Sequence, residues 1–458
     1  MSGLPEGWVD VALTELGEWG SGGTPSKGER SYYEGGTIPW LVIGDLNDAE
    51  VKASERRITQ LGLDNSSAKL LPIDTLLIAM YGSIGKLGIT KIECATNQAI
   101  AFCKPDSLLV DLKYLFHSLK HQKTALISRG QGGAQQNISQ GILRAHKIPL
   151  APRLEQVRIA DKLDALQARV DAARERLDRV PALLKRFRQS VLAAATSGEL
   201  TEDWRDGECE AWEEATIGDI TVDLRYGTSK KCHYQDYGTA VFRIPNIAEN
   251  GRISSYDLKR AEFDAHEASR LRLEAGDLLV VRSNGSLDLV GKTAVVTSSE
   301  AGLLFAGYLM RLRLQSKKVL PQYAYYGLSS PAQRHQIEIT SKSTSGVNNI
   351  NSEELRALRI SLPSINEQTE IIRRVEALFA LADKVQAQYE AARARVDRLT
   401  SALLAKAFRG ELVPQDPNDE PASVLLERLQ AGKASAPKPV KKGRKSSATV
   451  RSARSASG

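Results

Sequence analysis

The sequence predicts an α+β chain built twice over: a globular part of short strands, then a long helix, then the same two parts again. Three observations predict it. First, apolar residues at Ile159, Leu163, Leu166, Val170, Ala173, Leu177, Val180, Leu184, Phe187 and Val191 step alternately by four and three, the heptad seam of a coiled coil. Second, adding 212 to each number gives Ile371, Val375, Leu378, Ala382, Val385, Tyr389, Ala392, Val396, Leu399 and Leu403, apolar or aromatic in the same phase. Third, the echo extends beyond the seam. Ile138 matches Ile350, Glu155-Gln156 matches Glu367-Gln368, and Gly198-Glu199-Leu200 matches Gly410-Glu411-Leu412, with roughly twenty identities and no gap. The second helix is therefore the natural partner of the first, within one chain.

The first globular part covers residues 1–150. It opens on Leu4-Pro5-Glu6-Gly7-Trp8, followed by the Gly-rich loop Gly20 to Lys27. Ile38 to Ile43 reads as an apolar strand, and Leu76 to Met80 as another, leading into the turn Tyr81-Gly82-Ser83-Ile84-Gly85-Lys86. Tyr114 to Ile127 reads as a helix, and the loop Gly130 to Asn137 closes the part. The first long helix falls in 151–200. Pro149 and Pro152 mark its start, Pro181 should kink it, and Gly198 sits where a left-handed cap belongs. The second globular part, 201–362, repeats the plan more loosely. Trp212 stands for Trp8, Tyr226 to Lys231 for the first Gly-rich loop, and Val241 to Pro245 for the first strand. Gly276 to Val281 runs into Arg282 to Ser286, Tyr323 to Ile337 is a helix interrupted near Pro331, and Ser341 to Asn351 reads as a polar loop. The second long helix falls in 363–413, capped at Gly410. Each long helix spans about 40 residues, or about 60 Å. From 414 to 458 the composition predicts a disordered basic tail, apart from a short amphipathic piece at Ala422 to Leu429.

At 458 residues the chain exceeds what one core supports. No apolar run is long enough to span a membrane, Met1 to Asp10 lacks the apolar segment of a signal peptide, and the four cysteines show no CxxC spacing. A reducing cytoplasm is the expected location. The net charge of +7 is a property of the tail: residues 431–458 carry eight Lys and Arg and no acid, which leaves the rest near −1. Any nucleic acid must therefore be held by local clusters, not by a global field.

The sequence offers no catalytic constellation. Gly285 to Thr293 imitates a P-loop but has five residues between its glycines, and Ala294-Val295-Val296 after it is strand-like. Asp106 and Asp111-Leu112-Lys113 read as a turn and a helix start, and the histidines do not cluster at metal spacing. What recurs in both halves are polar, Gly-rich loops of the residue types that contact phosphates and base edges. In the first half the candidates are Thr24, Ser26, Lys27, Tyr81, Ser83, Lys86, Gln131, Gln135, Gln136 and Asn137. In the second they are Thr228, Ser229, Lys230, Lys231, Arg282, Asn284, Lys292, Ser343, Thr344 and Asn348.

This layout resembles the specificity subunit of type I restriction–modification systems. The resemblance rests on Leu4 to Trp8, Ser21-Gly22-Gly23-Thr24-Pro25, Ile38-Pro39-Trp40, Tyr81 to Gly85, Ile148-Pro149-Leu150 with Glu155-Gln156, and Leu183 to Leu192. In the second half it rests on Tyr226 to Lys231, Arg243 to Ile247, Glu367-Gln368 and Arg409 to Leu412. The resemblance implies two target-recognition domains held apart by two antiparallel coiled-coil helices in pseudo-twofold symmetry. Each domain would read one half of a bipartite, asymmetric site in double-stranded DNA. The helices would set the spacing and dock two methyltransferase subunits, with restriction and motor subunits completing the complex. S-adenosylmethionine, ATP and Mg would then be bound by the partners, and this chain would hold no cofactor or metal and be no enzyme itself. The alternative from another class is a coiled-coil scaffold whose heads bind proteins.

Overall fold

A computed structural model describes residues 3–130, 137–205, 211–248, 250–344 and 347–435, without the side chains of 342–344 and 433–435. The chain forms two compact units. One comprises Met1–Arg174 with Ala394–Gly458, the other Glu175–Arg393.

In the first unit the head is built on a five-stranded sheet. Its strands run Gly17–Ser21, Ile100–Pro105, Leu76–Ala79, Leu87–Thr90 and Ala49–Val51 across the sheet. The central strand Leu76–Ala79 is buried on both faces, which explains its unbroken apolar run. A smaller sheet orders Arg57–Ile58, Ile38–Leu41 and Ala95–Thr96, the last two parallel. The head closes where Lys147–Leu150 pairs antiparallel with Val9–Ala12. The expected single helix Tyr114 to Ile127 is two, Leu112–His121 and Lys123–Ser128, divided at Gln122. Asp111 caps the first of these by accepting from the Lys113 and Tyr114 amides, so it is a helix start as read from the sequence.

The second unit follows the same plan. A four-stranded sheet orders Thr221–Tyr226, Leu309–Leu314, Leu278–Val281 and Thr293–Val295. A three-stranded sheet orders Lys259–Ala261, Thr239–Phe242 and Leu304–Phe305. The head closes where Arg359–Leu362 pairs with Glu213–Thr216. The segment expected as a polar loop at 341–351 instead carries a hairpin. Lys342–Thr344 pairs with Val347–Asn349, which pairs in turn with Ser283–Asn284. Its β-branched and amide residues satisfy their backbone across strands, which a reading by polarity alone does not anticipate.

Each head is joined to its long helix by a matching set of buried and part-buried polar contacts. In the first unit Trp8 Nε1 donates to Glu155 Oε2 at 3.1 Å, and the Tyr114 hydroxyl donates to Pro149 O at 2.7 Å. Gln156, fully buried, donates to Leu109 O and Ala151 O and accepts from the Asp111 amide. In the second unit Trp212 Nε1 donates to Glu367 Oε2 at 3.1 Å, and the Tyr323 hydroxyl donates to Ser361 O at 2.7 Å. Gln368, also fully buried, donates to Lys318 O and Pro363 O and accepts from the Leu320 amide. Burial raises the Glu155 carboxyl above its ordinary range.

The long helical segments are Arg153–Asp178, Val180–Ser197 and the continuous 43-residue helix Ile365–Ala407. The break at Arg179 is the kink expected from Pro181: the proline lacks an N–H, and Arg179 N turns to Arg176 O. In the first unit Ile159, Ala160 and Leu163 pack with Leu404, Ala407 and Phe408, and Arg174 pairs with Asp397 at 3.4 Å. In the second, Val191, Leu192 and Ala195 pack with Ile371 and Val375. There Asp178 pairs with Arg393 and Arg188 with Asp383, so the two helices run antiparallel. The seam is not closed throughout. Ile159, Leu163, Val170, Leu184, Ile371, Val375 and Val396 are buried, and Leu166, Leu177, Leu378 and Tyr389 are half-buried. Phe187, Val385 and Leu399, expected in it, are 36%, 37% and 43% exposed. One facing helix covers only a narrow stripe, so bulky residues at its margin stay in water. Gly198 and Gly410 end the segments with φ of +86° and +74°.

The disordered tail expected from 414 does not describe its first part. Ala422–Ser435 is a helix whose Ala422 and Leu425 are buried in the first head's core, with Leu426 and Leu429 packed beside them. The Ala422 amide donates to Gly7 O, and Arg158 pairs with Asp419 at 2.6 Å. The apolar spacing of three, four and seven residues that marked the amphipathic piece suffices to dock it. Residues 436–458 lie outside the described residues.

Candidate nucleic-acid interface

In the first head the candidate loops fall into two groups. Tyr81, 42% exposed, forms an isolated antiparallel bridge with Asn137, so the turn after the central strand lies beside the segment that closes the head. Gly82 and Gly85 take φ of +65° and +75° within this turn, which exposes Ser83. Lys86 Nζ donates to Asn47 Oδ1 at 3.3 Å. Gln131, Gln135 and Gln136 lie outside the described residues. The second group is the Gly-rich loop. Ser26 and Lys27 are exposed, and the Thr24 hydroxyl donates to Gln98 Oε1. Thr24 and Lys27 line a cleft of about 520 Å³ together with Arg56, Arg57, Asn97 and Gln98. These last four were not singled out from the sequence. The visible signals were two dipeptides, Arg56-Arg57 and Asn97-Gln98, each beside a strand but far from Thr24 along the chain.

In the second head the hairpin gathers Arg282, Asn284 and Asn348. Asn284 pairs with Asn348 across the small sheet, and Asn348 Nδ2 donates to Gly285 O. Arg282 lies over the Tyr226 ring, 4.6 Å from its centroid, and donates to Asn349 Oδ1 at 3.3 Å. Tyr226 and Tyr308 are 38% and 64% exposed; Tyr226 opens the loop read from the sequence, whereas nothing local distinguishes Tyr308 from a core tyrosine. Ser343 and Thr344 lie on the hairpin by their backbone, and their side chains are outside the described residues. Lys292 is half-buried at the edge of the strand Thr293–Val295.

The loop Thr228 to Lys231 is a correction in part. Thr228 is buried and its hydroxyl donates to Glu267 Oε1 at 3.3 Å. Lys230 Nζ donates to Glu262 O at 2.6 Å and pairs with Glu267 at 3.7 Å. Both hold the loop against the helix Ala265–Leu271, and their polar ends are already partnered. Ser229 and Lys231 stay exposed.

Beneath these loops the second head carries a buried charge network. Arg311, 2% exposed on the central strand Leu309–Leu314, pairs with Asp223 and donates to Arg272 O at 2.8 Å. Arg313 grips Asp277 by two bonds of 2.9 Å. Burial pulls the Asp223 carboxyl up, but Arg225 and Arg311 outweigh it and hold it below the ordinary range. The network braces the sheet by joining three of its strands, Thr221–Tyr226, Leu309–Leu314 and the end of Leu278–Val281. Among the described residues, no three His, Cys, Asp or Glu converge as a metal site, and no helix is long and apolar enough to cross a membrane.

A family model described as the type I restriction modification DNA specificity domain matches the chain twice, at residues 5–182 and 209–391. Over 450 residues the chain is 32% identical to the type I restriction enzyme EcoKI specificity subunit of Escherichia coli (strain K12), covering 94% of this chain and 96% of that one. It is 31% identical over 448 residues to the StySPI specificity subunit of Salmonella potsdam, with the same coverage. Two solved structures share the fold at 18% identity. One, from work on complex assembly and conformational transition of a type I R-M system, has a TM-score of 0.68 and covers 89% of this chain and 99% of that one. The other, the HsdS subunit from Thermoanaerobacter tengcongensis, has a TM-score of 0.57, with coverage of 89% and 98%.

Proposed function

Because the chain belongs to the type I restriction–modification DNA specificity family, we propose that its two heads each read one half of a bipartite, asymmetric site in double-stranded DNA. It is a specificity subunit, and its work is sequence recognition. The observation that best supports two separate readings is the doubled joint. Trp8, Glu155 and Gln156 attach one head, and Trp212, Glu367 and Gln368 attach the other by the same bonds, while the exposed loops of the two heads differ residue by residue. Two different readers on one repeated connector suit two different half-sites. The antiparallel helix segments act as a coiled-coil spacer with pseudo-twofold symmetry and dock two methyltransferase subunits. Restriction and motor subunits join through that complex. S-adenosylmethionine, ATP and Mg belong to the partners, and the assembly works in the cytoplasm.

The test is to express the chain with its methyltransferase partner and map methylated adenines genome-wide, with duplex binding measured on the purified complex. A single two-part motif with a fixed gap is the expected result. A continuous motif, or no sequence-dependent binding, overturns the reading.

A further inference from the structure

The cleft beside Lys27 in the first head is built to be held open. Its floor is Trp40, buried, whose Nε1 donates to Gly23 O at 3.0 Å, and the Tyr33 hydroxyl donates to Pro25 O. The two rings meet edge to face, with centroids 6.1 Å apart. These contacts fix the Gly-rich turn against the strand Ile38–Leu41. A side chain cannot enter at Gly23, where a Cβ would stand 2.3 Å from the Ala68 amide nitrogen.

The rims present donors. Asn97 Oδ1 accepts from the Ala99 amide at 3.2 Å, and Gln98 Oε1 accepts from Thr24, which turns both amide NH₂ groups away from those contacts. Among the described residues no acceptor takes either NH₂. Arg57 donates one guanidinium nitrogen to Thr37 O at 2.9 Å, whereas the charged ends of Arg56 and Lys27 have no hydrogen bond or ion pair there. No carboxylate lines the cleft. A concave site with three cations, two free amide donors and no acid matches an anionic, acceptor-rich partner. Of the base edges in the major groove, guanine alone shows two adjacent acceptors, N7 and O6. Adenine and cytosine would set an amino donor against the donors of the rim.

We propose that this cleft reads a guanine of the first head's half-site through Asn97 and Gln98, with Lys27 and Arg56 on the flanking phosphates. The inference rests on the DNA-reading function above. It adds Arg56, Asn97 and Gln98, and a base, that neither the family match nor the sequence loops assign.

The experiment uses the full chain in complex with its methyltransferase subunits. Gln98→Ala is expected to relax one G·C position of one half-site by about 10-fold and leave the other half-site strict. Gln98→Glu, which swaps a donor for an acceptor, is expected to disfavour that guanine further. Lys27→Ala and Arg56→Ala are each expected to weaken all sequences alike and to flatten the slope of log K against log salt by about 1. These side chains are exposed, so the variants keep the fold. Unchanged strictness in Gln98→Ala, relaxation at a position that is not G·C, or an unchanged salt slope in both cation variants overturns the inference. If the wild-type complex binds its site and the variants match it, only this inference falls. If the wild type binds no site, the DNA-reading function falls and takes this with it.

Discussion

Replacing Gln368 by leucine tests whether the joint between head and helix is held by one side chain. Gln368 is fully buried and makes three bonds to backbone: to Lys318 O at 3.0 Å, to Pro363 O at 2.9 Å, and from the Leu320 amide at 2.8 Å. Leucine fills a similar volume, so little cavity forms, but two carbonyls and one amide lose their partner, Pro363 O at a buried bond and Lys318 O and the Leu320 amide at part-buried ones. Each orphaned group costs about 1–3 kcal/mol, and neighbouring losses do not add fully, so about 3–5 kcal/mol is expected. The assay is denaturant unfolding followed by hydrogen exchange, because a chain of two units need not unfold in one step. The Leu320 amide should exchange at least 100-fold faster in Gln368→Leu, while amides of the sheet Leu76–Ala79 and Ile100–Pro105, which belong to the other unit, should not change. A loss below about 1 kcal/mol with Leu320 still protected would refute the reasoning and show that packing of Ile371 and Val375 carries the joint.

Four further outcomes follow from the same structure. Hydrogen bonding from buried His117, with Lys113, pushes the Asp164 carboxyl down to about 2. Since the folded value lies below the unfolded one of about 3.9, its contribution is present above pH 4 and is lost as pH falls through 2. Its side chain is 39% exposed, so Asp164→Asn should cost about 1 kcal/mol at pH 6 and clearly less at pH 3, as read by urea unfolding at both. Arg311→Met should destabilise the second unit by about 1–3 kcal/mol, because it removes one of the two arginines on Asp223 and strands the Arg270 carbonyl, while Arg225 still pairs with Asp223 and Arg313 still donates to Arg272 O, and a shift in the urea midpoint reports it. Lengthening both long helical segments by about one turn should change the gap in the methylated motif and leave both half-sites alone, as read from methylation maps. Deleting 436–458, which holds seven Lys and Arg and no acid, should lower salt-sensitive DNA affinity without altering the motif, as measured by binding titrations at two salt concentrations.

The sequence carried the parts of the fold that are written in local periodicity. The long helical segments, the kink at Pro181 and the two glycine caps at Gly198 and Gly410 all depend on residues within a few positions of one another. The motif Glu-Gln was visible as an echo at 155 and 367, but its purpose was not, because its partners Leu109, Asp111, Lys318 and Leu320 lie about 45–50 residues away and contribute only backbone. The candidate interface was half-legible for the same reason. Thr24 and Lys27 announce themselves in a Gly-rich loop, whereas Asn97 and Gln98 reach them through tertiary pairing, of Trp40 with Ala95 and Leu41 with Thr96 and of the Gly23 amide with Thr96 O. Thr228 looked like its counterpart Thr24, yet Glu267 takes its hydroxyl, and that partner belongs to a helix 39 positions on. Composition misjudged 414–435 because four apolar residues on one face of a short helix are too few to register in a window average and enough to dock it.

The joint also explains how two heads can differ so much while their helices stay alike. From Gln156 and Gln368 every bond into the head goes to a main-chain carbonyl or amide, and the two tyrosine hydroxyls, from Tyr114 and Tyr323, likewise meet carbonyls, Pro149 O and Ser361 O. Main-chain groups are the same for any sequence. On the head side the tryptophan, which supplies the indole N–H to Glu155 or Glu367, and the tyrosine must be kept, and in the first head also Lys113 and His117, which bond Asp164 of the long helix. A head can therefore exchange its loops, its charged residues and even its strand register away from the joint without breaking a bond to the helix. The candidate recognition surfaces, at Lys27 and Gln98 in one head and at Arg282 and Asn348 in the other, are free to diverge because the attachment draws on few head side chains and on none of these.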